Sequence, residues 1–344
     1  MEWIHLNLNH CWREQMKKIF FSLIIFLTLC SSIFALDNNY LSFKITPRFE
    51  IVNGSINEYV YDKDCLNTDN KLSQLDWDIK NIPFFSLKGE VDIIKYIHFD
   101  IDGGIGVPKI SGYMQDYDWL NSFGGKEGIP YSWRYEDPTA ITNYSKHTNK
   151  LEQYMTFTLG IGANVFLPAE IKLSPKIAYQ YEFIYFSGTG GYKTYKADNW
   201  VQYNFTGKVI SYKQEINSML TGISITVDTI SRAHFSADLM FSPKMTFLNA
   251  IDYHHAKSKA YWDNFKNLWQ IKANIEAQYK FNKYHCAGLS TSIQYIPVSV
   301  GDTRQKNIES DGSLSEGPWG AAYVNSGGTS RLIWSLGINY SFSL

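Results

Sequence analysis

The sequence predicts an all-β protein, a ten-stranded antiparallel transmembrane β-barrel whose long strands extend above the outer membrane. Three observations predict it. The N-terminus carries an export signal, long stretches alternate apolar with small polar residues, and connections are short on one side and long on the other.

The export signal is "MKKIFFSLIIFLTLCSSIFA", residues 16–35, with two lysines, an apolar run and small residues before Ala35. That is the layout of a secretory signal peptide, with cleavage expected after Ala35. Residues 1–15 read as an upstream extension, and 36–344 as one barrel domain. Processing removes three basic and two acidic side chains, leaving 29 against 31 and a net charge of −2. A nucleic-acid partner needs a basic face, so none is expected. Cys65 and Cys286 remain in unrelated contexts and read as lone thiols, not a disulfide framework. After Ala35 no apolar run approaches the ~18 residues of a membrane-spanning helix. Aromatic residues nevertheless make up 16% of the chain, which leaves a soluble all-β domain or an outer-membrane barrel.

Strands are expected at 42–60, 71–90, 94–118, 149–166, 171–192, 205–230, 233–250, 264–281, 285–302 and 329–343. In the fourth, Met155, Phe157, Leu159, Ile161, Ala163 and Val165 share one face, with Thr156, Thr158, Gly160, Gly162 and Asn164 on the other. In the fifth, Ile177, Tyr179, Tyr181, Phe183 and Tyr185 alternate with Ala178, Gln180 and Glu182. The last repeats the pattern from Leu332 to Phe342, against Ser335, Gly337, Asn339 and Ser341. Soluble sandwiches use shorter strands with buried valine and leucine. Long strands with small polar residues opposite the apolar ones fit lipid outside and a polar lumen inside. "NVFLPAE", "DTISRAH" and "KFNKYH" read as tight turns, and 120–148, 193–204, 250–264 and 303–328 as long outer loops. Several strands exceed the ~9–11 residues that cross a bilayer, so the barrel should stand tall with its mouth in water.

At that mouth, "GYMQDYDWLN" (112–121) places Asp116 and Asp118 on one strand face. Two acids sharing a site push one pKa up, which equips them for acid–base chemistry. The seventh strand ends in "NAIDYHHAK", where Asp252 and His254 again share a face. An aspartate bonded to one imidazole nitrogen fixes the tautomer and frees the other nitrogen as a base. Either pair alone could be a solvated strand end. Both stand at one end of a closed barrel, where they can face each other. No third spaced ligand and no H-E-x-x-H accompany them, so no metal is expected.

These residues carry a resemblance to the omptins, ten-stranded outer-membrane endopeptidases of Gram-negative bacteria, over about Leu41 to Phe342. "KLSQLDW" (71–77) is similar to the family's second-strand motif, "MQDYDW" (114–119) to its D-x-D-W and "DYH" (252–254) to its D-x-H. "NEYVY" (57–61) is similar to the segment holding a specificity glutamate, here Glu58. The resemblance implies a water held between Asp116–Asp118 and the Asp252–His254 dyad, with His254 as base, no covalent intermediate and cleavage beside basic residues. It also implies polypeptide substrates, a monomer, an active site facing outward, no cofactor, and lipopolysaccharide or another outer-membrane lipid as activator.

The chain departs from the pattern in places. A second family acid corresponds to Ala250, so a weaker preference for arginine and lysine is expected. Another acid after a tryptophan has its nearest candidates in Glu136 and Asp137 after Trp133. Phe183 and Glu215 occupy two positions where lipid-gripping arginines are expected, and the chain ends "SFSL" rather than in an aromatic residue. Two other readings remain open, a binding or adhesion barrel without turnover and a diffusion pore.

Overall fold

The computed structural model describes residues 41–61, 71–119, 140–228 and 232–344. The signal segment, Cys65, Trp133, Glu136 and Asp137 lie outside the described residues. The strands are β1 (Leu41–Tyr61), β2 (Lys71–Ile93), β3 (Ile97–Gly106), β4 (Lys109–Asp118), β5 (Asn143–Ala163), β6 (Val165–Leu167), β7 (Ile171–Tyr195), β8 (Gln202–Asn204), β9 (Lys208–Asp228), β10 (Ala233–His254), β11 (Lys259–Lys280), β12 (His285–Asn307) and β13 (Tyr323–Ser343). β3 and β4 form one wall position, since both pair with β2 and β5. The break between them falls at Val107–Pro108, where proline has no N–H for the ladder. β6 continues β5 past Asn164, and β8 folds back onto β7. The result is an antiparallel ring of ten wall positions, closed by pairing of β13 with β1.

The expected strand count and order are borne out. Side-chain exposure locates the bilayer. Phe85, Leu87, Leu159, Ile177, Leu239, Ile275 and Leu336 are exposed on the outer wall, where lipid covers them. On β11, Trp269 and Tyr279 mark the two edges of this band, ten residues apart. Ten residues of tilted strand rise about 25 Å, the height of an outer-membrane apolar band. Tyr96, Phe166, Phe281 and Tyr284 gather at the end with the tight turns. Strands of 21 to 25 residues such as β1 and β7 therefore project well above the membrane.

The expected polar lumen holds within the membrane but not above it. Within the membrane it is polar and ion-paired. Arg48 bonds Asp102 and, at 3.4 Å, Glu276, while Lys176 lies 3.3 Å from both Asp100 and Asp238. Higher up, Glu182 and Arg331 form a fully buried pair, and Glu182 also accepts the Gln294 amide at 2.9 Å. Above these the alternation inverts. Leu75, Trp77 and Ile79 of β2 point inward while Asp76, Asp78 and Lys80 face out, because water now surrounds the wall and the interior alone offers burial. A β-bulge at Lys80–Asn81 marks where the outer face of β2 passes from polar above to apolar below, while the apolar interior runs on through Ile82 and Phe84; Asn81 sits at φ 53° and its N–H donates to Asn53 Oδ1. Trp77 stacks between Phe186 and Tyr212, with ring centroids 5.8 and 5.5 Å away. With Ile56, Met114, Phe265 and Ile216 they make an apolar floor that fills the barrel below the mouth.

Two expected loops are shorter than predicted. Residues 250–264 are a strand hairpin turning only at His255–Lys257, and 303–328 narrows to 308–322. Polar residues there line the wet mouth from strand positions rather than from loops. Cys286 is free, as expected.

Candidate active site

Strand register builds the site. Leu75 of β2 stands opposite Glu58 of β1 on one side and Asp116 of β4 on the other, so these three form one inward row. Asp118 lies one step higher, opposite Ser73. Across the mouth, Asp252 of β10 pairs with Tyr212 of β9 and Tyr261 of β11. Asp116, Asp118, Asp252, His254 and Glu58 all line one cleft of about 360 Å³, with Lys257, Tyr261, Asp263 and Thr303. The structure thus brings together all five residues singled out in the sequence.

His254 Nε2 bonds Asp252 Oδ2, which leaves Nδ1 as the nitrogen able to accept a proton. The Tyr261 ring packs edge-on against the imidazole, 5.4 Å between centroids. Asp252 is 1% exposed and its Oδ1 has no hydrogen-bond partner. The neighbouring His255 points elsewhere. Its Nε2 lies 2.9 Å from Ser211 Oγ, and burial together with Lys208 lowers it to about 4.

Opposite the dyad, Ser73 Oγ donates to Asp116 Oδ1 at 3.1 Å and Asn143 Nδ2 donates to Asp118 Oδ2 at 3.2 Å. Burial, and then the Asp118 charge, raise the Asp116 carboxyl to about 7. Lys257 at the rim moderates that rise. Desolvation acts to lower Lys257, but Asp116 and Asp118 hold it above its ordinary value.

On the floor, Glu58 and Asp263 are each 3% exposed. Burial drives Glu58 well upward, with the charges of Asp252 and Asp263 adding to it. Burial likewise lifts Asp263 to about 7, despite a hydrogen bond from Thr303.

Sequence reading missed Lys257 and Asp263. Lys257 falls in the expected 250–264 loop, and the three-residue turn sets it in the cleft beside Asp116 and Asp118. Asp263 was assigned to a loop, although a tight hairpin sets it opposite Ala250. Phe183 and Glu215 face each other across β7 and β9 on the outer side of the wall. Among described residues no cluster of three metal-ligating side chains occurs.

Fold and site together define a ten-stranded outer-membrane barrel that carries an acid–histidine cleft in its outward mouth. The chain belongs to the omptin family, whose family model matches residues 41–342. It is 26% identical over 188 residues to the plasminogen activator of Yersinia pestis, covering 53% of this chain and 54% of that protein. The chain thus spans about half the length of that curated relative. Its fold matches the crystal structure of the outer membrane protease OmpT from Escherichia coli with a TM-score of 0.75, at 16% identity, covering 88% of this chain and 97% of the other.

Proposed function

We propose that this protein is an outer-membrane endopeptidase that hydrolyses peptide bonds beside basic residues at the cell surface. The observation that carries this reading is the convergence of Asp116–Asp118 and Asp252–His254 on one cleft from opposite walls. A water between them loses a proton to His254 Nδ1 as its oxygen attacks the scissile carbonyl. Asp252 holds the imidazole and offsets the charge it gains. Asp116 and Asp118 bind the same water, and the proton they share donates to the oxyanion of the tetrahedral intermediate. His254 then returns its proton to the leaving amine, which regenerates the site without an acyl-enzyme.

Glu58 supplies a carboxylate for a basic substrate side chain. The filled interior speaks against a diffusion pore, and a complete acid–base set speaks against a barrel that only binds. With Phe183 and Glu215 where family members grip lipid, lipid contact here falls to other side chains of the wall.

The test is cleavage-site mapping with a random peptide library, using protein refolded in lipid and His254→Ala as the control. Cuts beside arginine or lysine that vanish in the variant are expected. Cuts of equal rate in both proteins contradict the mechanism.

A further inference from the structure

We propose that Asp263 is a specificity residue, a second pocket carboxylate that acts with Glu58, three wall positions away in the same cleft, to select a cationic substrate side chain. This deepens the peptidase reading and rests on it. The starting observation is Ala250, which is fully buried and stands directly opposite Asp263 in the β10–β11 hairpin. Opposed residues of an antiparallel pair point to the same face, so both face the interior: Ala250 in the apolar core and Asp263 on the cleft. The small methyl of Ala250 leaves the room, and Asp263 brings the charge from the adjoining strand.

The position is built to hold that carboxylate. Thr303 Oγ1 donates to Asp263 Oδ1 from β12. On β13, a Cβ added to Gly327 would stand 2.6 Å from Thr303 Oγ1 and 2.7 Å from Asp263 Oδ1, so glycine keeps the space open. Stability alone does not account for the arrangement. Ionising a buried carboxyl without a counter-charge costs several kcal/mol, so both acids tend to keep their protons until a cation arrives. Among the described residues, neither Glu58 nor Asp263 forms a salt bridge, and Glu58 Oε2 is buried without a hydrogen-bond partner. Lys257 lies over Asp116 and Asp118 instead, and Arg331 is taken by Glu182. The missing positive charge is one that a ligand brings. A guanidinium, with donors on several edges, can bond carboxylates approaching from two sides.

The experiment compares two peptides that differ only in arginine against its neutral isostere citrulline. kcat/KM is measured for wild type, Glu58→Gln, Asp263→Asn and the double variant. Binding of the same peptides, N-methylated at the scissile bond, is followed by fluorescence anisotropy. Asp263→Asn is expected to cut the arginine preference about 10-fold while citrulline cleavage changes little, and the double variant should lose the preference. An unchanged arginine-to-citrulline ratio in Asp263→Asn, or equal slowing on both peptides, overturns the assignment. The binding arm separates this from the peptidase reading. Wild type that cleaves neither peptide but binds the arginine one more tightly, with the difference reduced in Asp263→Asn, keeps the pocket and sinks the hydrolysis. Equal binding of both peptides by wild type sinks the pocket whatever the turnover.

Discussion

Gly327→Ala perturbs the pocket without replacing an acid. The new Cβ would stand 2.6 Å from Thr303 Oγ1 and 2.7 Å from Asp263 Oδ1, where unstrained contact needs about 3.5 Å. Both atoms end side chains, so they yield by nearly 1 Å each while the strand stays in place. The Thr303–Asp263 hydrogen bond breaks, or Asp263 turns away from the cleft. A hydrogen bond to a charged group contributes about 1.5–3 kcal/mol, equivalent to roughly 10- to 150-fold. Glu58 remains, so the expected loss of arginine preference lies near the lower end, about 10-fold. The assay is kcat/KM on the arginine and citrulline peptides, with heat-modifiable gel migration to report the folded barrel. A folded Gly327→Ala protein with an unchanged ratio would refute the reasoning, because the predicted clash would then have no functional partner.

Four other outcomes are expected. The Asp116 carboxyl stands at about 7, so the aspartate pair holds its shared proton below that pH and loses it above; kcat/KM should fall as pH rises through about 7. Lys257→Met removes a charge that holds Asp116 down, so the falling limb should move to higher pH; movement to lower pH contradicts the assignment. In a chain whose own cysteines are serines, Lys257→Cys and Ser313→Cys should label on intact cells, whereas Asn282→Cys should label only once the outer membrane is broken. Glu182→Gln strands Arg331 in the interior and should cost about 3–5 kcal/mol in urea unfolding from vesicles, while replacing both by methionine should recover most of it.

The wall of the barrel was legible because lipid-facing strands leave a two-residue period, clearest from Met155 to Val165 and from Leu332 to Phe342. Above the bilayer the same period survives with its sense reversed, as Leu75, Trp77 and Ile79 show. Periodicity alone does not say which face meets water, so the apolar floor was not foreseen. The catalytic candidates were legible because each pair is local, two residues apart on one strand. Asp263 was not, since its meaning depends on Ala250 across a hairpin and on Glu58 three wall positions away. Polar composition near the turn concealed it, because a wet strand end and a loop share the same residue types.

The central claim is that Asp116–Asp118 and Asp252–His254 act on one water, and a double-variant cycle tests it most directly. Peptide cleavage is measured for wild type, His254→Ala, Asp116→Ala and the pair, each with its folded fraction. Each single change should cost about 10²-fold or more, since neither half can activate the water alone. The double variant should be little worse than the poorer single one, as expected for groups that work as a unit. Losses that multiply, or a single variant with near wild-type activity, would contradict the account.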